Sequence, residues 1–433
     1  MAFADAGLLG DLLGDTEVAA HLTPEAEISA MLAFEAALAR VEARLEIIPA
    51  DAGPVITSAL SEIRIAPADL VGPTAAAGVS VPGLVKLLRS EVGAPFGGYI
   101  HWGATSQDAT DTGFVLRMRV VIDILQSRLT EVCGMLSARA EENAAVQMAA
   151  RTRSQVATPT SFGLRIAGWR APLVRCLDRL EALKPRLMRV QLGGAAGTLS
   201  VLGDTAVAAL EGLARELDLL VPEKPWHTER DAIVELSNWL AMVSGLLGRI
   251  GGDLILMGRS EAAEAKAGTG GGSSTMPHKS NPVLAEALVT LARLNGGFAG
   301  QMQQVLLHHE ERDGPPWITE WVILPQMLVA AAAGLRHAQV LAETLEPVPE
   351  NMARAMETGG GAMHAEALAF ALAQQMPLGD AQAIVKQAAQ ASGGNLVERV
   401  AALCRDMGHQ PPDLQATDIG EIAAVWIRRS IGR

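Results

Sequence analysis

Aromatic residues are scarce in this 433-residue chain, which contains seven phenylalanines, seven tryptophans and a single tyrosine, Tyr99. Nearly half of the residues are nevertheless apolar, and most of these are Ala, Leu, Val and Met. Strands favour β-branched and aromatic side chains, whereas Ala, Leu and Met favour helices. The composition therefore predicts an all-α protein, and the length suits two or three domains better than one core.

Cysteine is also rare: Cys133, Cys176 and Cys404 lie far apart and outside any CxxC pair. This spacing argues against a disulfide framework or a zinc site and favours buried thiols in a reducing cytoplasm. No Lys or Arg precedes Arg40, so the basic start of a secretory signal is missing, and the uninterrupted apolar runs are too short to span a bilayer. We expect a cytoplasmic protein with no membrane partner.

Positive charge is in deficit, because 35 Lys and Arg stand against 48 Asp and Glu, giving a net charge of −13. Proteins that bind nucleic acid usually present a basic face, so we expect no nucleic-acid partner. If the ligand is a small anion, its site has to concentrate arginine and lysine against the field of the whole protein.

Long amphipathic stripes are the main structural pattern of the chain. Apolar residues recur at steps of three and four over 114–136, 233–257 and 284–305, which is the period of a helix face. Stripes of this length are typical of helices that pack side by side in a bundle. A further helix is predicted over 317–345.

Prolines divide this pattern into parts. They interrupt the N-terminal hundred residues repeatedly and return at Pro347 and Pro349. We therefore predict an N-terminal helical domain, a central long-helix bundle and a C-terminal helical domain, over residues 1–104, 105–345 and 346–433.

Two local features refine the central domain. Pro172 and Pro185 predict kinks or breaks in a helix over 160–190. The second long stripe contains four glycines, Gly245, Gly248, Gly251 and Gly252. Each glycine inside a helix lowers the stability of the helix by about 1 kcal/mol. Their repeated use therefore indicates close approach of a neighbouring helix.

The most distinctive segment is residues 270–282, which read GGGSSTMPHKSNP. It lies between two predicted helices, and its glycine density indicates a mobile loop. Hydroxyl groups, a lysine and an asparagine in such a loop suit a flap that closes over an anion. A nucleotide-binding loop fits less well, because GxxxxGK[ST] is absent and Ser273 stands where the last glycine of GxGxxG would be.

This segment resembles the GSSxMPxKxNP signature of the fumarase/aspartase superfamily, and a match of that length is highly specific. Two further blocks agree in sequence and order. Residues 101–112, HWGATSQDATDT, resemble the HxGxTSxDxxDT element, and residues 151–159, RTRSQVATP, are similar to the GRTxxQxATP element. The resemblance covers most of the chain, and it implies a homotetramer in which three subunits furnish each active site.

Within the superfamily, smaller features favour the carboxymuconate cycloisomerases. Residues 225–231, PWHTERD, resemble the PWHTxRD stretch of the bacterial enzymes, and residues 311–321 resemble their HERxxxxWxxEW stretch. The form GATSQD within residues 103–108 also fits these enzymes better than the TSSD usual in lyases.

Arg153 departs from the superfamily pattern. In adenylosuccinate and argininosuccinate lyases the matching position is a catalytic histidine, and in familiar carboxymuconate cycloisomerases it is a tryptophan. A guanidinium does not act as a general acid at neutral pH, but it binds a carboxylate or sulfonate through two parallel hydrogen bonds. Arg153 thus argues against fumarate-releasing chemistry and for anion binding.

The resemblance implies a role for each residue of these blocks. Ser273 transfers the proton, and a Gly-rich loop and nearby cations would lower the pKa of its hydroxyl. His101 is open to two interpretations, a contact to the substrate or a brace for the Thr105 loop. The predicted catalytic residues are Ser273 and Lys279, and the predicted substrate-binding residues are His101, Thr105, Ser106, Thr152, Arg153, Gln155, Thr158, Asn281 and Arg312.

Enzymes of this superfamily act at the carbon next to a carboxylate through an enediolate, which fixed donors and cations must stabilise. The cycloisomerase resemblance implies closure of a γ-lactone on 3-carboxy-cis,cis-muconate or its 3-sulfo analogue. It implies no metal and no organic cofactor, because a carboxylate of the substrate serves as electron sink. The partner is then a polyanionic small molecule.

Two alternatives stay open. One is a lyase of the adenylosuccinate or argininosuccinate type that releases fumarate. The other is a catalytically silent structural relative, against which the intact Ser273, Lys279 and Asn281 argue, although Val79 stands where an asparagine is common in the cycloisomerases.

His308 and His309 stand beside Glu310 and Glu311 and have the composition of a metal site. No HExxH is present, however, and adjacent side chains point apart on a helix. We predict a solvated helix face for this segment.

Overall fold

The computed structural model describes residues 7–272, 275–276, 279–412 and 419–432. Helices dominate these ranges, which confirms the all-α prediction. In chain order the α-helices are α1 (Gly10–Leu13), α2 (Thr16–Ala20), α3 (Pro24–Arg44), α4 (Ala52–Glu62), α5 (Pro67–Ala77), α6 (Val81–Val92), α7 (Ser106–Glu142), α8 (Phe162–Leu187), α9 (Ala206–Leu217), α10 (Asp231–Met257), α11 (Val283–Met302), α12 (Gly314–Glu343), α13 (Pro349–Glu357), α14 (Ala365–Leu372), α15 (Leu378–Gln390), α16 (Leu396–Asp406) and α17 (Ile419–Ile431).

Polar side chains cap the starts of several helices. The Thr23 hydroxyl accepts a hydrogen bond from the backbone N–H of Ala26, and Pro24 occupies the first turn of α3. Asn395 and Glu398 form a reciprocal capping box at the start of α16. These contacts satisfy N–H groups that have no partner inside the helix, and they fix where each helix begins.

The predicted stripes coincide with helices α7, α10 and α11, and the helix predicted over 317–345 is α12. The prediction of breaks over 160–190 is wrong, since α8 is one continuous helix that includes Pro172 and Pro185. Its apolar face is fully buried, from Ile166 through Leu173 to Leu180. This burial offsets the backbone hydrogen bonds that the prolines remove.

Within the described ranges, three short antiparallel strand pairs lie between the helices, and the sequence patterns did not reveal them. β1 (Gln147–Thr152) pairs with β2 (Gln155–Ser161). The other two pairs join two-residue strands: β3 (Ala265–Lys266) with β6 (Glu346–Pro347), and β4 (Gly271–Gly272) with β5 (Ser280–Asn281).

The chain divides into two compact units. The first comprises Met1–Thr130, Arg175–Gly248 and Ala287–Arg336, and the second comprises Glu131–Val174, Arg249–Glu286 and His337–Arg433. Each has its own buried apolar cluster, around Phe34 and Leu88 in the first and around Leu372 and Val400 in the second. The three-domain division by sequence position stays a prediction.

Close helix contact, expected from the glycines of α10, is seen at Gly248. A Cβ there would collide with the Cβ of Ala292 on α11. At Gly245 and Gly252 such a Cβ would have no atom within 4 Å among the described residues, apart from its chain neighbours and the nearby backbone of α10 itself. At Gly248, therefore, the absence of a side chain allows α10 and α11 to pack closely.

Helices α10 and α12 are long and apolar enough to cross a membrane by length and composition. Of their most apolar windows, 50% and 67% respectively are buried inside the protein. Core helices of soluble proteins have the same properties, so these two give only weak evidence for a membrane span.

Candidate active site

The first predicted block lies at the start of α7. The backbone N–H of Thr105 donates to Asp108 Oδ2 at 2.9 Å, and the N–H of Asp108 donates back to the Thr105 carbonyl at 2.9 Å. Ser106 is the first residue of α7, and its carbonyl accepts from the Thr110 hydroxyl. Thr105 and Ser106 thus lie at the positive end of a 37-residue helix, which favours an anion.

Asp108 connects this turn to other segments of the first unit. Its carboxylate also accepts hydrogen bonds from the backbone N–H groups of Gly193 and Gly194, both at 2.9 Å, and contacts His227 Nε2 at 2.7 Å. The side chain is fully buried. Asp108 was not among the predicted site residues, although it stands inside the predicted block.

Arg312 lies in a loop of the first unit. Its Nε donates to Gln107 Oε1 at 3.1 Å, and its Nη2 donates to the Gly194 carbonyl at 3.4 Å. Gln107, which follows Thr105 and Ser106 in the sequence, thereby holds the guanidinium of Arg312. The structure places Arg312 close to the start of α7.

The segment that contains Arg312 is not helical. Residues 307–313 form a loop that ends where α12 begins with Gly314, Pro315 and Pro316, since proline is well tolerated in the first turn of a helix. The helix-face prediction for His308 and His309 is therefore wrong. His309 contacts Asp313 at 2.7 Å, and burial, followed by the charge of Arg230, lowers the pKa of His308.

His101 pairs with a buried carboxylate. Its Nδ1 lies 2.6 Å from Glu35 Oε1, and the Glu35 side chain is 1% exposed. Burial alone would lower the pKa of His101, but the charge of Glu35 and the hydrogen bond to it outweigh burial, so that the pKa is raised. This pairing favours the imidazolium form of His101.

A cavity of about 380 Å³ opens next to this turn. One side is formed by Trp102, Gly103 and Ala104, directly before Thr105, and the other side by residues 194–201. The second side was missed because its sequence, GAAGTLSV, contains no cation, carboxylate or imidazole. In this segment only the glycines and the two hydroxyl residues, Thr198 and Ser200, could have indicated a binding site.

The second predicted block forms the hairpin β1–β2 in the second unit. Thr152 and Gln155 are register partners, and Arg153 and Ser154 form the turn with positive φ of 50° and 68°. Two such residues match the twist of a tight hairpin. Thr152, Arg153 and Gln155 are exposed at this tip, while Thr158 is half-buried further along β2.

An ion pair ties the hairpin to the start of the glycine-rich loop. Arg151 Nη1 and Nη2 donate to Glu264 Oε2 and Oε1 at 2.8 and 2.7 Å. The Glu264 side chain is fully buried and directly precedes β3. The pair fixes β1 to the chain that leads into residues 267–282.

The glycine-rich loop itself closes through β4 and β5, where Gly271 pairs with Asn281. A side chain at Gly270, whose φ is +69°, would collide with Ser280, and one at Gly271 would lie 2.6 Å from Val283. Lys279 is exposed, and its N–H donates to the Met276 carbonyl at 3.0 Å. Ser273, the predicted proton-transferring residue, lies outside the described residues.

The predicted residues that the structure describes thus fall into two groups, one in each compact unit. The first unit contains His101, Thr105, Ser106 and Arg312, and the second contains Thr152, Arg153, Gln155, Thr158, Lys279 and Asn281. Among the described residues, no group of three or more His, Cys, Asp or Glu side chains is placed to hold a metal ion.

The PWHTERD stretch has a supporting role. Arg230 is fully buried and pairs with Asp111 and Glu320 at 2.8 and 2.6 Å. Burial alone would lower the pKa of Arg230, but the charges of these two carboxylates outweigh burial and raise it. The network connects the starts of α7, α10 and α12 in the first unit.

Long helices with hydroxyl, amide and cationic groups at the loops between them fit an enzyme of the lyase class, and comparisons with known proteins show that class. A family model described as Lyase matches residues 17–294. The 3-carboxy-cis,cis-muconate cycloisomerase of Pseudomonas aeruginosa is 40% identical over 366 residues, or 83% of this chain and 80% of that protein. The protein of the same name from Bradyrhizobium diazoefficiens is 37% identical over 423 residues, or 95% and 94%.

Solved structures agree with these matches. The crystal structure of the 3-carboxy-cis,cis-muconate lactonizing enzyme from Pseudomonas putida has a TM-score of 0.90 at 34% identity and covers 98% of both chains. The chain belongs to the lyase family of the fumarase/aspartase superfamily.

Proposed function

We propose that the protein is a cycloisomerase that converts 3-carboxy-cis,cis-muconate, or its 3-sulfo analogue, into a γ-lactone, as a step of aromatic catabolism. The likeness to proteins named for this reaction, at 37–40% identity over most of the chain, is the observation that carries the proposal. Arg153 at the hairpin tip supports it, since a guanidinium binds carboxylate or sulfonate and is no proton donor.

In the proposed reaction, an oxygen of one substrate carboxylate forms a bond to a carbon of the conjugated diene. The displaced π electrons move onto another carboxylate and give an enediolate. Protonation of the α-carbon then completes the lactone, so atoms and charge balance without a redox partner. A metal or organic cofactor is not needed, because the substrate itself accepts the electrons.

Each site residue has a proposed role in this sequence. Ser273 delivers the proton to the α-carbon and recovers one from water, and Lys279 stabilises the enediolate as negative charge develops. Arg312 and Arg153 bind carboxylate or sulfonate groups, and Thr105, Ser106 and Asn281 add neutral donors. His101, held by Glu35, contributes a further positive charge.

Hydrogen bonds from the hairpin complete the binding site. Thr152, Gln155 and Thr158 lie on the two strands that flank Arg153, and hydroxyl and amide groups donate to carboxylate oxygens. Together they would fix the orientation of the anion that Arg153 holds.

We further propose a cytoplasmic homotetramer whose sites are shared between subunits. Helix α7 has 37 residues and is therefore about 55 Å long. Thr105 and Ser106 lie at its first turn, and the hairpin of Arg153 begins five residues after its last. Assembly of several copies brings the start of one α7 near the hairpin of another. Several exposed apolar residues on the long helices, such as Met242, Ile318 and Val322, suit such an assembly.

The direct test incubates purified protein with 3-carboxymuconate and with 3-sulfomuconate and follows the loss of diene absorbance. We expect turnover of at least one of the two, with lactone as product. Ser273→Ala is the control for contaminating activity, since it should fold normally and lose turnover by orders of magnitude. Release of fumarate from argininosuccinate or adenylosuccinate, without lactone formation, would refute the proposal.

A further inference from the structure

The cavity of about 380 Å³ beside Thr105 has one side that no predicted residue occupies. We call residues 194–201 the second wall and Trp102, Gly103 and Ala104 the first wall. The first wall leads directly into the Thr105 turn at the start of α7. Ala104, which lines the cavity, directly precedes Thr105, one of the residues proposed to hold a substrate carboxylate.

Asp108 fixes the two walls relative to each other. One buried carboxylate accepts from the N–H of Thr105, which follows the first wall, and from the N–H groups of Gly193 and Gly194, where the second wall begins. His227 Nε2 contacts the same carboxylate at 2.7 Å. Four contacts to a buried charged group make a rigid support, which is how a binding site is preorganised.

Arg312 supplies positive charge at the second wall. Its Nη2 donates to the Gly194 carbonyl at 3.4 Å, and its Nε donates to Gln107. These contacts use two of the five N–H donors of a guanidinium. The proposed anion-binding arginine is thus in direct contact with the backbone of the second wall.

The second wall holds a strained backbone that exposes its hydroxyl groups. Leu199 has a positive φ of 47°, which costs a non-glycine residue free energy, and its N–H closes the loop by donating to the Gly193 carbonyl at 3.0 Å. The Leu199 side chain is buried, whereas Thr198 and Ser200 on either side are exposed and line the cavity. Strain that presents two hydroxyl residues to a cavity indicates a binding function.

We propose that the second wall is part of the substrate pocket, and that the Thr198 hydroxyl donates a hydrogen bond to the substrate carboxylate bound by Arg312. This inference rests on the proposed function for the identity of the substrate, but its ligand class is any small polycarboxylate. Thr198 is a contact residue that strengthens binding of the ground state and the transition state alike.

The kinetic test compares Thr198→Val with Thr198→Ser and with Thr130→Val, an exposed threonine on α7 away from the cavity. For Thr198→Val we expect KM for the muconate to rise about ten-fold or more while kcat changes little, because valine keeps the shape and loses the donor. Thr198→Ser should restore most of the affinity, and Thr130→Val should match the wild type. Melting temperatures verify that all three variants fold.

A binding test separates this inference from the proposed function. Benzene-1,3,5-tricarboxylate is an unreactive probe, and the 41% exposed Trp102 of the first wall should report its binding by fluorescence, with Trp102→Phe as the blank. Weaker binding by Thr198→Val supports the inference even if the wild type fails to turn over muconates. Equal affinity of Thr198→Val and wild type, or no binding to the wild type, overturns it.

Discussion

Glu42 is a carboxyl group whose charge state differs from that of an ordinary glutamate. Its side chain is buried on α3, and neither carboxyl oxygen has a hydrogen-bond partner among the described residues. Burial, together with the charge of Glu35, raises its pKa from 4.5 to about 9. Glu42 is therefore neutral at pH 7.

This difference predicts a pH-dependent effect of Glu42→Gln on stability. The folded protein keeps the Glu42 proton up to about pH 9, whereas the unfolded chain releases it near pH 4.5. The contribution of Glu42 is thus complete below pH 4.5 and declines as pH rises towards 9. Glutamine does not titrate, so the melting temperature of the variant relative to wild type should increase from pH 5 to pH 9. A difference that stays constant over this range would contradict the assignment.

At the scale of elements, an ion pair joins the hairpin β1–β2 to the start of the glycine-rich loop. Arg151 binds Glu264 through two hydrogen bonds, and Glu264 is fully buried while Arg151 is 27% exposed. Removing one partner of such a pair lowers the stability of the folded protein, because the other charge then remains buried and uncompensated. The pair holds β1, and through it the turn with Arg153, against the chain entering residues 267–282.

We expect Arg151→Met to lower the free energy of unfolding by about 2 kcal/mol or more, a value reduced from that of a fully buried pair because Arg151 is partly exposed. Denaturant titration measures the change. The matched control is Arg186→Met, whose pair with Glu235 has side chains 45% and 44% exposed, so that its loss should cost less than about 1 kcal/mol. Equal effects of the two substitutions would show that Glu264 is not held as a buried charge.

The helices and strands also differ in how well the sequence patterns predicted them. Helices α7, α10 and α11 were predictable because a stripe of three to four turns or more has one clear period. The hairpin was not, since β1 is only six residues long and its alternation is broken by a register shift between Ala149 and Arg151. The loop over 307–313 was missed because its histidines and glutamates carry no turn signal, whereas Asp313, Gly314 and the prolines that follow mark only its end.

At the scale of the whole molecule, contacts between distant segments of the chain limit how far the site can be predicted from the sequence. Sequence blocks led to the proposed site residues, but Asp108 and the second wall are defined by contacts between segments some 85 residues apart in the chain. No local pattern encodes such contacts. The same limit applies to assembly: the proposed site residues fall into two groups, one in each compact unit of the chain.

A shared site predicts that two inactive variants restore each other. Arg312→Ala removes a cation of the first unit, and Lys279→Ala removes one of the second. If each site draws these residues from different subunits, tetramers formed by co-refolding equal amounts of the two variants regain about a quarter of wild-type activity, because random mixing gives that fraction of sites both native residues. Each variant refolded alone stays inactive, and light scattering verifies the tetramer. A mixed sample as inactive as its components would place both residues in a site of one subunit.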